Sequence, residues 1–293
     1  MSARRASVAE KRRRTSIAGE RRFAAVLRWT IIGVFALYVL APFVWMVSVA
    51  FKPEAEIFGR EIEILPRNPT LDNFAMIFDF IPFPRYFLNS LVLAVSTTVV
   101  SLTVSTLAAY AFARFRFRGR EVIAFTFLAT QMFPLVTGII PLYLVFSRLG
   151  LINTTWALLI AYVAFTIPFC TWMLKGYFQT IPREIEEAAM IDGCSRMQVL
   201  LTVVLPMSVP ALVAAGVFCF ILSWNEFLYA TVLTSSDAVR TLPAALGGLI
   251  GQGTTQWGAL NAAGILTTLP VVVFFLVFQR YLVGGLSAGA VKG

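Results

Sequence analysis

An all-α membrane protein is predicted, six transmembrane helices in one bundle with both termini in the cytoplasm, and three observations predict it. Apolar residues make up 58% and charged residues 13% of 293 positions, more apolar surface than one soluble core buries without leaving large exposed patches. Six stretches, about 29–51, 88–113, 122–147, 154–174, 207–234 and 260–281, are apolar enough to lie in hydrocarbon, and crossing it takes roughly 17–25 residues of helix. Lys and Arg divide unevenly between alternate connecting segments: residues 1–28, 114–121, 175–206 and 280–293 hold eighteen, the other set six. Cytoplasmic loops carry the basic excess, so both ends and the 175–206 segment fall on that side. That requires an even number of crossings, in agreement with hydropathy.

Residues 1–28 form a basic cytoplasmic tail. Up to residue 22 it has too few apolar side chains to bury, and Lys11-Arg12-Arg13-Arg14 fits a disordered positive-inside anchor. Ser48-Val49-Ala50 has small residues suited to a signal peptidase, but the apolar run of the first span, 29–51, exceeds the roughly 7–15 residues of a signal core and predicts an uncleaved helix. The external loop 52–87 carries Pro53, Pro66, Pro69, Pro82 and Pro84, which limit regular helix and predict a compact cap. The turn Arg114-Phe115-Arg116-Phe117-Arg118-Gly119-Arg120 alternates basic and aromatic residues, as interfacial aromatics with snorkelling arginines do. Residues 88–293 make the core, with five spans. Pro134, Pro141, Pro168, Pro210 and Pro270 lie in or beside spans, where each removes a backbone donor and invites a kink.

Several functions are disfavoured. The net charge of +9 reports topology and anionic headgroups, not nucleic acid, because its densest part is a tail and not a folded basic face. Cys170, Cys194 and Cys219 imply no disulfide framework, and with no histidine no metal site is expected. No catalytic set is found either: an intramembrane enzyme needs a nucleophile, base or metal cluster that the spans do not supply.

The most polar insert in the core is 180–206. Pro182 fits the first turn of a helix, Glu184, Glu186 and Glu187 favour its positive end, and Ile185, Ala188, Ala189 and Ile191 recur at three- and four-residue intervals. Gly193 sits where a left-handed residue ends such a helix. Ser195-Arg196-Met197-Gln198 has capping-box spacing, so a second helix runs toward Leu205-Pro206. A helix resting on the inner leaflet would be basic, whereas residues 184–192 hold Glu184, Glu186, Glu187 and Asp192 without a base. The insert is therefore expected to dock on a protein, its glutamates orienting a basic partner surface.

Glu187-Ala188-Ala189, Asp192-Gly193, Leu205-Pro206 and Pro210 resemble the signature loop of binding-protein-dependent ABC importer permeases, with Cys194 where alanine is usual. Phe51-Lys52-Pro53, Leu71-Asp72-Asn73-Phe74, Phe87-Leu88-Asn89-Ser90, Trp224-Asn225-Glu226-Phe227, Thr241-Leu242-Pro243 and the closing Gly285 to Gly293 resemble the carbohydrate-import branch, similar to the second membrane subunit of maltose and glycerol-3-phosphate transporters. The likeness covers about 51–293. It implies the type I ABC importer permease fold in a bacterial cytoplasmic membrane, and a coupling role toward ATPase subunits for Glu187, Ala188, Ala189, Asp192, Gly193, Leu205 and Pro206. It further implies a C-terminal tail, Ala290, Val291, Lys292 and Gly293, reaching the ATPase dimer. Contact with an extracytoplasmic sugar-binding protein is implied around Gly247 to Thr255, chiefly Gly251, Gln252, Gly253 and Thr254. The implied partners also include a second homologous permease subunit. No cofactor is expected on this chain; ATP and Mg belong to the ATPase.

Glu226 is the one carboxylate well inside an expected span, and an ionisable group at depth is costly enough to suggest function. With Asn225 and the Trp224 indole it offers hydroxyl-binding and ring-stacking chemistry for a sugar path; a structural hydrogen bond between helices is the alternative. A secondary, ion-coupled carrier is the rival function, but such carriers usually place several ionisable or unwound coordinating groups near midplane. No phosphate-binding Gly-x-x-x-x-Gly-Lys-[Ser/Thr] loop occurs, so energy for uphill transport must come from another chain.

Overall fold

The computed structural model describes residues 2–59, 63–250 and 255–290, with backbone alone for 2–22 and 282–290. It contains helices and connecting turns, divided into two compact units, Met1–Asn73 with Trp257–Ala262 and Phe74–Gln256 with Ala263–Gly293.

In the first unit, α1 (Ser2–Ala50) includes an apolar length, Phe23–Ala50, sufficient to span a bilayer. Its end is tied down by Asn73, whose amide donates to the carbonyls of Ala50 (2.9 Å) and Lys52 (2.7 Å), acceptors a helix C-terminus leaves open. A Cβ on Gly258 would overlap that Asn73 amide, which is why glycine stands there. The short α2 (Glu54–Ile57) follows; Glu56 accepts from the backbone N–H of Arg67 and Asn68 and from the Asn68 amide, each at 3.0 Å. Lys52 Nζ donates to the Glu63 carbonyl and lies 4.9 Å from the centre of the Trp45 ring. The 52–87 loop is thus held by its own polar contacts, and it is more helical than its prolines suggest: α3 (Asp72–Phe80) precedes α4 (Phe83–Arg114), which starts at 83 and not 88 because Pro84 occupies a first-turn position where no donor is needed.

The second unit is built on α4 and α7 (Thr155–Phe178), which pack along small and hydroxylated residues. Ser101 and Thr166 share a hydrogen bond of 2.6 Å, and Ser105 donates to the Ile167 carbonyl at 3.1 Å, the close approach that small residues permit between membrane helices. Between them run α5 (Arg120–Thr130) and α6 (Ile139–Arg148), joined through a 3-10 turn at Leu135–Gly138 and bent by 96°. The expected continuous span 122–147 is therefore broken, and Pro134, extended at φ −60° and ψ 129°, is the breaking residue. After α7 come α8 (Arg183–Ile191), α9 (Arg196–Val199), a π turn at Leu200–Val204, α10 (Leu205–Met207) and α11 (Val209–Trp224). The chain turns by 81° at Ser208. The expected span 207–234 is broken as well: α11 stops at Trp224, and α12 (Leu228–Leu233) begins after Asn225-Glu226-Phe227. Then follow α13 (Leu242–Leu249) and α14 (Trp257–Ala290).

Among the described residues four helices are long and apolar enough to cross a membrane, Phe23–Ala50, Phe83–Arg114, Thr155–Phe178 and Trp257–Tyr281, and the count reaches six if each bent pair is one span. A fastening of residues far apart in sequence closes one end of α4. Tyr86 donates to Asp237 Oδ1 (2.6 Å), the Asn89 amide to the carbonyls of Ala238 (3.0 Å) and Arg240 (2.9 Å), and the Leu242 N–H to Ser90 Oγ (2.8 Å).

Candidate functional site

The α8–α10 segment forms as its residues dictate. Pro182 is extended (ψ 134°) and caps α8 from outside, so the helix starts at Arg183, one residue later than its proline suggests. At the other end Gly193 is left-handed (φ 93°); its N–H donates to the Met190 carbonyl at 3.1 Å and the Cys194 N–H to the Ala189 carbonyl at 3.0 Å. Those two bonds are the Schellman pattern that satisfies the last carbonyls of a helix. Ser195 Oγ accepts from the Gln198 N–H (3.3 Å) while Gln198 Oε1 accepts from the Ser195 N–H (2.7 Å), completing the capping box. The π turn at Leu200–Val204 was not foreseen. Pro206 supplies its reason, since it has no N–H and its ring crowds the carbonyl four residues back, which a wider turn relieves.

The helix is inverted relative to ordinary amphipathic packing. Ile185, Ala188 and Ile191 face outward, Ile191 86% exposed, with Glu184, Glu187 and Asp192 beside them. Glu186 points inward and is only 4% exposed. Its Oε1 accepts from Arg114 Nε at 2.5 Å and its Oε2 from the Tyr110 hydroxyl at 3.1 Å, while Arg114 Nη2 donates to the carbonyls of Phe178 (2.7 Å) and Ile181 (3.0 Å). Around this pair Leu174, Phe178, Val199, Leu200 and Val204 form a buried core that Ala189 and Met190 help to cover. Of the candidate coupling residues, Glu187, Ala188, Asp192, Gly193 and Pro206 are exposed on one foot, and Ala189 and Leu205 are half-buried beneath it. Met197 and Leu201 extend its exposed apolar surface.

The expectation that the glutamates of this segment face a partner together is corrected for Glu186, which is spent on the chain's own Arg114. The sequence reading put Arg114 among interfacial arginines and Glu186 among partner-facing glutamates, and did not foresee their buried contact with each other and with Tyr110. No local signal disclosed the inward turn of Glu186, because its partner Arg114 lies 72 residues earlier in the chain.

The second acid, Glu226, sits in the break between α11 and α12. Tyr162 of α7 donates its hydroxyl to Oε2 at 2.6 Å, and the N–H groups of Tyr229 (2.9 Å, to Oε1) and Ala230 (3.1 Å, to Oε2) complete its shell. The carboxylate thereby caps the first turn of α12, where unpaired N–H groups favour an anion. Tyr229 in turn donates to the Leu135 carbonyl at 2.8 Å, tying this break to the one between α5 and α6. The structure does not gather Trp224, Asn225 and Glu226 on one face. Trp224 is 1% exposed, its indole N–H donates to the Thr267 carbonyl at 3.1 Å, and its ring packs on Phe220 and Phe87. Asn225 is exposed and bonded to the Ile221 carbonyl at 2.9 Å.

Gly251, Gln252, Gly253 and Thr254 lie outside the described residues, as do Val291, Lys292 and Gly293; of Ala290 only the helical backbone is described. Among the described residues there is no group of three His, Cys, Asp or Glu that could hold a metal.

Comparison with known proteins follows the same lines. The family described as binding-protein-dependent transport system inner membrane component matches residues 101–287. The chain is 38% identical over 264 residues to the inner membrane ABC transporter permease protein YcjP of Escherichia coli (strain K12), covering 89% of this chain and 94% of that one. It is 38% identical over 268 residues to the trehalose/maltose transport system permease protein MalG of Thermococcus litoralis, covering 90% and 96%. Among solved structures, a bacterial ABC transporter involved in the import of the acidic polysaccharide alginate superposes with a TM-score of 0.79 at 25% identity, covering 89% of this chain and 97% of that chain.

Proposed function

We propose, from the premise that this chain belongs to the binding-protein-dependent transport system inner membrane component family, that it is the membrane-spanning permease subunit of an ATP-driven importer of carbohydrate. The fold is the all-helical type I ABC importer permease fold with four to six candidate spans, and such permeases are multi-pass proteins of the bacterial inner membrane. Six crossings with both termini in the cytoplasm follow if each bent pair counts as one span, and the division of Lys and Arg supports that reading. A carbohydrate cargo is supported by the trehalose/maltose permease and the alginate importer among its relatives.

The observation that carries the coupling role is the outward face of α8, where Ile191 stands 86% exposed beside three carboxylates. An acidic helix does not settle on anionic lipid, and an exposed large apolar residue on such a foot calls for a protein cover. The cover is an ATPase subunit of a dimer whose basic residues meet Glu187 and Asp192. ATP and Mg bind there, and this chain carries out no covalent chemistry. A second homologous permease completes the path, and an extracytoplasmic binding protein delivers the sugar. Each of these ligands drives alternation only by preferring one state of the bundle.

On this reading Asn225, exposed at the α11–α12 break, meets the sugar, with Glu226 positioning it and Trp224 supporting both from the core. Mild-detergent purification of the assembly tests the whole proposal. An ATPase, a second permease and a bound carbohydrate are expected to copurify, and Glu187→Lys is expected to shed the ATPase. Full ATPase recovery with Glu187→Lys, or solute uptake by this chain alone on an ion gradient, would refute it.

A further inference from the structure

The buried pair beneath α8 does more than satisfy two charges. Arg114 is the last residue of α4, and its guanidinium makes three bonds at once: to Glu186 in the first turn of α8, to the carbonyl of Phe178, the last residue of α7, and to the carbonyl of Ile181 in the connecting turn. Tyr110, one turn earlier on α4, holds the other oxygen of Glu186. The Arg114 and Glu186 side chains are 6% and 5% exposed, so water is kept from competing for these bonds. The opposite end of the segment is made differently. There a π turn and an 81° bend at Ser208, whose buried hydroxyl has no partner among the described residues, lead into α11.

We propose that Arg114 is a positioning residue that fixes α8 rigidly to the ends of α4 and α7, so that a push on the outer face of α8 moves the α4–α7 pair and is not absorbed in the 179–182 turn. The planar guanidinium suits this task because its donors are fixed relative to one another, whereas an ammonium is a single rotatable point charge. The proposal rests on the coupling reading above and adds which helices receive the motion. It also places the compliant side of the foot at Leu200–Ser208, toward α11.

The test uses the complete assembly, purified with its ATPase companions and carrying spin labels on Leu107→Cys of α4 and Glu184→Cys of α8, both exposed positions. Cys194→Ala removes the half-buried native thiol, and Cys170 and Cys219 are buried out of reach. Without nucleotide and with ATP, Mg and vanadate, the parent is expected to give one narrow interlabel distance, unchanged within about 2 Å, the scale of helix shifts in switching proteins. Arg114→Gln is expected to broaden that distance or make it nucleotide-dependent, and Arg114→Lys to restore it in part. A distance in Arg114→Gln as narrow and as fixed as in the parent would overturn the proposal, and so would a nucleotide-dependent distance in the parent. Should Arg114→Gln not assemble, Glu186→Gln, which keeps the shape and removes the charge, is read against the same two outcomes. An assembly without any nucleotide-hydrolysing chain defeats the coupling reading itself; a mobile α8 in an intact assembly defeats only the rigid joint.

Discussion

Two acids are drawn into this molecule, and they are held in opposite ways. Glu186, under the foot formed by α8–α10, meets a full positive charge and a hydroxyl. Glu226, in the break between α11 and α12, meets a hydroxyl and two backbone N–H groups, and among the described residues no cation bonds to it. A buried ion pair depends on both partners, because removing either leaves an uncompensated charge. A carboxylate held by helix dipoles and a rotatable hydroxyl has neighbours that can reorient. The first arrangement suits a fixed joint, the second a helix break whose shell can adjust.

Neutralising each acid without changing its shape is the sharpest way to break this comparison. Glu186→Gln strands the Arg114 guanidinium, and a loss of about 3–5 kcal/mol is expected, visible as a large fall in the thermal midpoint of the assembled complex. Glu226→Gln keeps an acceptor for the Tyr229 N–H, and the Tyr162 hydroxyl can turn to accept from the new amide. About 1–3 kcal/mol is expected from the donor left unpaired, with assembly intact and transport kinetics altered. Equal losses at the two sites would erase the distinction.

Gly193→Val probes the foot without touching either acid. A Cβ there would meet nothing within 4 Å, so its cost is the left-handed backbone alone, about 1–2 kcal/mol. Uptake is expected to be abolished with the protein still in the membrane, and normal uptake would separate the helix end from coupling. The smallest effect concerns the core between the two acids, where Cys170 of α7 and Cys219 of α11 stand 3.0 Å apart and fully buried. A permeant maleimide is expected to label Cys194 alone in the native protein and all three thiols after denaturation. Native labelling of all three would show α7 and α11 apart.

The difference between the two regions is also a difference in what the sequence could disclose. The foot was legible where its causes are local: Gly193, Ser195 and Gln198 act on neighbours within four residues, and the helix end and capping box stand as those residues predict. The inward turn of Glu186 was not, because apolar spacing argues for Ile185, Ala188 and Ile191 on the buried side, and the partner that reverses this lies 72 residues away. Hydropathy identified, to within a residue at the ends of 29–51 and 154–174, the continuous helices that carry those two stretches and 88–113 and 260–281. It merged the broken ones, since averaging over an apolar window hides a single Pro134 or an Asn225-Glu226 pair. Trp224 was judged by what an indole can stack on, whereas Phe220, Phe87 and the Thr267 carbonyl had already claimed it.

The fastening at the start of α4 bears on the order in which the protein is made. Tyr86, Asn89 and Ser90 find their partners at Asp237 to Leu242, about 150 residues later. At a synthesis rate of about 5–20 residues per second, that interval lasts roughly 8–30 s. Throughout it the nascent chain carries an amide and two hydroxyls at the head of α4 without their final bonds, and release from the insertion machinery before residue 242 emerges leaves that end open. Completion of the bundle is therefore clocked by its last third.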